Sequence, residues 1–225
     1  MQDFDHGFKE VAQHAGRELA RVADVECDRL RPISGEVHAT TERLADLAFQ
    51  ARHGKERFVV YFEAYARWNR HAPLNLLAKS GLLAERERLP VLPIVFILRR
   101  RGYRSQDGRL ELKVGGKVTQ LLQFREVPLW EVEPQTWWED APALMPLYPL
   151  CRHGRRPRES IVHATQVIEE RIVDDIQRAD ALSLLDLFGE MAYPWLTQVQ
   201  HSLGQKGLFF AASPYLITRV SRKPL

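Results

Sequence analysis

Two acidic residues, Asp46 and Glu63, stand on neighbouring apolar segments at a spacing that could bring their carboxylates together. The segments run over residues 43–50 and 57–63, and the polar stretch Arg52-His53-Gly54-Lys55-Glu56 between them suits a tight reversal. In an antiparallel hairpin, opposed residues share a face and the sum of their numbers is constant along the ladder. A two-residue loop at His53-Gly54 gives a sum of 107 and pairs Asp46 with Tyr61. A four-residue loop over residues 53–56 gives 109 and sets Asp46 directly opposite Glu63. Either odd sum leaves the two carboxylates on one face. Two such groups repel unless a cation lies between them, and a divalent metal with oxygen ligands is the usual answer, which outlines a metal-dependent hydrolase. An even sum would split the pair between the two faces. Acidic residues on a half-exposed hairpin are otherwise simply solvated.

The elements that must position this pair are expected on both sides of it. Phe8, Val11, Ala12, Ala15 and Leu19 recur at helical spacing, so residues 4–23 read as one amphipathic helix with Asp5 as its cap. Residues 24–41 read as polar and turn-rich around Pro32 and Gly35. After the hairpin, Pro73 opens a second helix whose stripe includes Leu74, Leu77 and Ala78, widened by Leu76 and Leu83. Val91 to Leu98 is apolar at consecutive positions, as in a strand covered on both faces. The second hairpin strand, the Pro73 helix and this strand form a right-handed crossover unit.

Residues 109–114 and 117–124 read as another hairpin about Gly115-Gly116, extending or flanking the sheet. Residues 128–151, with Trp130, Trp137 and Trp138, have no clear period and read as an irregular packed segment. Beyond about 157 the pattern is helical over 160–172, 181–192 and 195–203. The expected organisation is an α/β domain over residues 1–150, with a mixed central sheet flanked by helices, and a helical C-terminal extension over 151–225.

With 225 residues the chain can bury a substantial core, and its net charge of +3 is compatible with a nucleic-acid partner without specifying one. Cys27 and Cys151 are far apart and form no CxxC, which argues against a disulfide framework or a cysteine-based zinc site. The opening Met1-Gln2-Asp3-Phe4-Asp5 lacks the form of a secretory signal, and the apolar run over 89–98 contains two prolines and is too short to span a bilayer. A cytoplasmic protein with no membrane partner is expected. The eight histidines make no HExxH, and there is no P-loop, GxGxxG or GxSxG. Two basic clusters could contact phosphates: Arg99-Arg100-Arg101 after the buried strand, and Arg152, Arg155 and Arg156 between the two halves. Taken alone, each is more simply read as a solvated strand end or linker.

Several strings together resemble one family. Asp5-His6-Gly7-Phe8-Lys9 is similar to the D-x-x-F-K opening of the Rpn recombination-promoting nucleases, also described as YhgA-like transposases. The string Thr41-Glu42-Arg43-Leu44-Ala45-Asp46-Leu47 resembles the family strand that carries its first catalytic Asp, and Phe58 to Glu63 resembles the next strand. Ala66-Arg67-Trp68, Pro73 and the Leu89 to Val95 run resemble the following helix and strand, and Gly204-Gln205-Lys206 and Ser213-Pro214-Tyr215 resemble the C-terminal ending. The resemblance implies a PD-(D/E)XK, restriction-endonuclease-like fold and a DNA endonuclease linked to recombination or mobile elements. It also implies that Asp46 and Glu63 hold Mg²⁺ or Mn²⁺.

This chain departs from the family at positions that bear chemistry. Tyr65 stands two residues after Glu63, where the family has Gln or Lys, and Asn69 replaces an Asp. Leu74-Asn75 stands where an arginine commonly opens the helix. In this superfamily the basic group can migrate to a neighbouring element. Lys79, three residues after Leu76 and four before Leu83, is the candidate, against the alternative of a lysine snorkelling from the helix edge. Asp5, Lys9, Glu36 and Glu42 are further candidates near the site. The eroded positions also fit a degenerate relative that binds nucleic acid or a protein partner without cutting, and the same fold could serve a small-molecule phosphohydrolase. Cutting both strands of DNA would be served by a homodimer with two sites.

Overall fold

The computed structural model describes residues 2–33, 47–69 and 71–194, with side chains from residue 7 onward. Its centre is a mixed five-stranded sheet in the order β1-β2-β3-β4-β7. Strands β1 (Arg29–Ile33), β2 (Leu47–His53) and β3 (Glu56–Tyr65) pair antiparallel; β4 (Val91–Ile97) and β7 (Arg125–Pro128) add in parallel. Between β4 and β7 the chain makes a separate two-stranded ribbon, β5 (Arg109–Val114) and β6 (Lys117–Gln123). The α/β class and the mixed sheet with helical cover are as expected from the sequence.

Helices cover both faces of the sheet. On one face lie α1 (Gln2–His14), α2 (Gly16–Val22), α4 (Pro157–Arg171) and α5 (Asp175–Ala192), which share a core with Phe49, Phe62 and Phe96 of the strands. Phe8 of α1 meets Phe96 at 5.0 Å between ring centroids, and Phe62 lies 5.5 Å from Phe49. On the other face α3 (Ala72–Glu87) sets Leu76 and Leu83 against Val59, Tyr61, Val95 and Ile97. Covered on both faces, the centre of β3 is buried at six successive positions, Val59 to Ala64. The helices of the expected C-terminal extension that fall among the described residues thus contribute to the same core as α1 and the sheet.

The β2–β3 hairpin pairs Leu47 with Phe62 and His53 with Glu56, a constant sum of 109. The turn is tighter than a four-residue loop, because only Gly54 and Lys55 stand outside the ladder. Gly54 has φ +57°, which suits the first central position of a type II′ turn, where a side chain would be strained.

Three expectations need correction. The N-terminal helix is two helices, broken at Ala15–Gly16, where Gly16 lies so close to the Phe49 ring and Leu30 that a Cβ would meet them at 3.0 and 3.1 Å. The helix also begins before Asp5, so Asp5 lies inside α1 and is not its cap. Residues read as polar turns contain β1, in which Pro32 pairs with Phe49; a proline is tolerated there because β1 is an edge strand. Of the two placements expected for the ribbon, it flanks the main sheet and does not extend it, and it precedes a further strand, β7. Residues 129–150 form three 3-10 segments, Leu129–Glu131, Thr136–Asp140 and Pro142–Leu150, in keeping with the irregular packing expected.

Candidate functional site

Alternation along β3 sends Val60, Phe62 and Ala64 to the face shared with α1, and Val59, Tyr61, Glu63 and Tyr65 to the face under α3. Glu63 is therefore directed beneath a helix and is 6% exposed. A carboxylate so placed needs donors. Lys79 supplies them: its Nζ donates to Glu63 Oε1 at 2.8 Å and Oε2 at 2.9 Å, and the Tyr65 hydroxyl donates to Oε1 at 3.1 Å. The ammonium also lies 5.9 Å from the Tyr61 ring centroid, within cation–π range.

Lys79 reaches this position because α3 is held at both ends. Pro73 presets the first turn, Leu76 and Leu83 are fully buried one turn either side of Lys79, and Gln50 of β2 donates to Glu87 near the C-terminus at 2.9 Å. That hydrogen bond, followed by the charge of Arg86, holds the Glu87 carboxyl below its ordinary pKa against the opposing effect of burial. Lys79 is thus a part-buried partner of Glu63, 13% exposed at its side chain, and not a lysine snorkelling to water.

Around the pair lie buried polar atoms that find no partner among the described residues: the Tyr61 hydroxyl, Trp68 Nε1 and Ser80 Oγ. An aromatic chain continues outward, Tyr65 to Trp68 at 5.5 Å and Trp68 to Phe124 at 6.4 Å between centroids. The backbone N–H of Leu98 donates to the Tyr65 carbonyl at 2.9 Å, so Arg99, Arg100 and Arg101 leave the sheet at the end where Glu63 and Tyr65 sit. This is the carboxyl end of the parallel strands, where open α/β sheets place their ligands.

The remaining sequence candidates fall elsewhere. Asp46, Glu36 and Glu42 lie outside the described residues. Lys9 and Asp5 belong to α1, on the face of the sheet opposite Glu63. The second basic cluster is also on that opposite side, and its side chains are engaged locally. Arg152 pairs with Glu133 at 3.3 Å, Arg155 Nε donates to the Tyr148 hydroxyl at 3.1 Å, and at the start of α4 Glu159 accepts from the Arg156 backbone N–H at 3.3 Å with the Arg156 Nε 3.9 Å from its other oxygen. The structure does not bring Arg152, Arg155 and Arg156 to Glu63.

One carboxylate escaped the sequence reading. Glu126 of β7 is in register with Val95 of β4, which is in register with Glu63, so the two acids share a face two strands apart. It accepts from the Tyr103 hydroxyl at 2.5 Å, Ser105 Oγ at 2.9 Å and the Gln106 N–H at 3.1 Å. Burial, then this contact, pushes the Tyr103 phenol up to about 12. With three donors, Glu126 anchors the connection from β4 to the ribbon. Its signal was the Arg125-Glu126-Val127 alternation, hidden because it follows the β6 pattern after a single residue.

Among the described residues, no group of three or more His, Cys, Asp or Glu side chains is gathered as a cation site requires. Glu63 offers hard carboxylate oxygens, the right donor chemistry for Mg²⁺ or Mn²⁺, and the set is incomplete in number without Asp46. A cleft of about 820 Å³ follows the free edge of β7, lined by Arg21, Asp24, Glu131 and Trp137 among others; it does not include Glu63, Tyr65 or Lys79. No helix among the described residues is long and apolar enough to cross a membrane. The fold and site define a mixed α/β protein with a buried Glu–Lys–Tyr cluster at the carboxyl end of its parallel strands. Compared with known proteins, the chain matches no family model, no curated protein and no solved structure.

Proposed function

We propose that this chain is a cytoplasmic, divalent-metal-dependent DNA endonuclease of the Rpn type, with Asp46 and Glu63 as metal ligands. The observation that carries the reading is the convergence of Glu63, Tyr65 and Lys79 beside the exit of Arg99-Arg100-Arg101. Bound to Asp46 and Glu63, Mg²⁺ or Mn²⁺ would polarise the scissile phosphate and lower the pKa of the attacking water. Lys79 supplies the positive charge that Tyr65, two residues after Glu63, lacks, and can turn from the carboxylate toward a phosphate oxygen. Tyr65 orients one oxygen of Glu63 through its hydroxyl, and the three arginines neutralise flanking phosphates. A homodimer would present two such sites to a duplex.

A second reading, a degenerate relative that binds without cutting, is favoured by one feature. Lys79 engages both oxygens of Glu63, so the carboxylate already has the cation it needs for burial. Nicking of supercoiled plasmid with Mg²⁺ or Mn²⁺ separates the two. The nuclease reading expects nicking by the wild type and its loss in Asp46→Ala, Glu63→Gln and Lys79→Ala variants whose far-UV circular dichroism is unchanged. Clean wild type that never nicks would leave the binding reading, and nicking that survives Glu63→Gln would remove this site altogether.

A further inference from the structure

The charge of the chain is sharply partitioned. Residues 99–125 carry eight basic and two acidic side chains, a net +6, whereas the whole chain carries +3, so everything else sums to −3. This basic stretch is the connection from β4, the β5–β6 ribbon and the start of β7. Arg100, Arg101, Arg104, Arg109, Lys113, Lys117 and Arg125 are all exposed. We propose that the β5–β6 ribbon is a nucleic-acid arm that lies along a duplex beside the Glu63–Lys79 site.

The two faces of the ribbon have different tasks. Leu110 and Leu122 pair across it and turn inward, Leu122 buried against the cluster that holds Trp68 and Phe124. That roots the ribbon on the aromatic chain leading to Tyr65. The outward face has Arg109 and Lys113 on either side of Glu111, which pairs with both; Lys113 Nζ is 2.9 Å from its Oε2. One acid shared between two cations leaves that face net positive. Toward the tip, Lys113 and Lys117 flank the Gly115-Gly116 turn, with Val114 70% exposed and Val118 and Leu121 each 49% exposed. A bulge at Leu112/Lys113 increases the local twist.

Charge and dimension both select a duplex as the occupant. A ribbon of six to seven residues spans roughly 20 Å. Duplex DNA carries a phosphate charge about every 1.7 Å of axis, and its major groove, about 12 Å wide, admits a two-stranded ribbon. Cations at the root and tip then meet phosphates, and the apolar side chains between them face sugars and base edges. This inference rests on the nucleic-acid half of the function proposed above and is independent of hydrolysis.

The test is fluorescence anisotropy with a short fluorescein-labelled DNA duplex in EDTA, titrated between about 50 and 200 mM salt. Wild type is compared with Lys113→Ala/Lys117→Ala and with the charge-conserving Lys113→Arg/Lys117→Arg. The alanine variant is expected to bind about tenfold more weakly, with the slope of log K against log salt reduced by about 2, and the arginine variant to bind as wild type. Equal melting temperatures for the three proteins keep folding out of the comparison. Unchanged affinity and slope in the alanine variant would overturn the arm while leaving the nuclease reading standing, as would conversion of a dimer to a monomer without loss of DNA binding. A wild type that binds no duplex would overturn the arm and the nucleic-acid reading together. Ribbon-dependent binding by a protein that never nicks plasmid would uphold the arm and refute the nuclease.

Discussion

Replacing Lys79 by methionine tests whether the Glu63–Lys79 pair is as buried as the geometry requires. Methionine retains most of the aliphatic stem that packs beside Leu76 and Leu83, so the change removes charge more than volume. The side chains of Lys79 and Glu63 are 13% and 7% exposed, and the ammonium bonds both carboxylate oxygens. Breaking a buried pair from one side costs about 3–5 kcal/mol because the other charge is left uncompensated. Tyr65 continues to donate to Glu63, so the lower end, about 3 kcal/mol, is expected. Glu63→Gln leaves a buried ammonium and is destabilising as well. The double variant has no charge to strand and should fall within about 1 kcal/mol of wild type, since neutral replacements of buried pairs are often tolerated. The coupling energy from the cycle should then exceed about 2 kcal/mol. Urea unfolding at pH 7, followed by tryptophan fluorescence and circular dichroism, measures all four proteins. A cost below about 1 kcal/mol for Lys79→Met, or additivity within about 0.5 kcal/mol, would refute the reasoning and mark the pair as an ordinary screened surface contact.

Two further expectations concern the fold around the site. Burial on α5, then the charge of Glu190, pushes the Asp186 carboxyl up to about 6. The folded state therefore binds more protons than the unfolded state between about pH 4 and 6, and stability falls as pH rises through that window. Asp186→Asn should remove this slope and, discounted for partial solvent screening, stabilise the protein by about 1 kcal/mol at pH 7 with no gain at pH 3.5, as read by urea titrations at both pH values. Gly108 has φ +61°, and a Cβ there would press on the Phe124 carbonyl oxygen at the ribbon root. Gly108→Ala should cost about 1–3 kcal/mol and make the ribbon the first site of cleavage in limited proteolysis; unchanged resistance would show that the root is not held there.

The parts of the site that sequence made legible are those governed by short-range parity. Turn chemistry around Gly54 points to an odd sum but leaves 107 and 109 both open, and the Gly54-Lys55 turn selects 109; the face shared by Tyr61, Glu63 and Tyr65 follows from alternation. Lys79 was legible only as a candidate: Leu76 and Leu83 bracket it at helical spacing, but a lysine snorkelling from the helix edge was the simpler reading, and only the contact with Glu63 separates the two. What stayed hidden was set by partners distant in sequence. β1 contains Pro32, which argues against a strand until it is known to lie at the sheet edge. β7 has only four residues and gains its identity from pairing with β4, about thirty positions earlier. The break between α1 and α2 falls at Gly16, where Phe49 and Leu30 leave no room for a Cβ, a contact that no local pattern in either helix records.

Charge is the clearest case of the same limit. The two arginine clusters are nearly indistinguishable as strings, yet Arg99-Arg100-Arg101 emerges at the Glu63 end of the sheet, whereas Arg152, Arg155 and Arg156 hold Glu133, Tyr148 and the start of α4 on the other side. Net charge hides the difference too, because +6 over one connection is masked by −3 over the remainder. A potential acts through space, and the cations of the ribbon and its root, which outnumber the one carboxylate, Glu111, paired among them, add at distances of the order of the Debye length, about 8–10 Å, whereas a cation matched one to one by a local carboxylate adds little. Folding therefore sorts like-looking basic residues into one surface able to meet a polyanion and one set that tethers helices. A duplex held by the ribbon would then lie beside the carboxyl end of the parallel strands, where Glu63 and Lys79 lie.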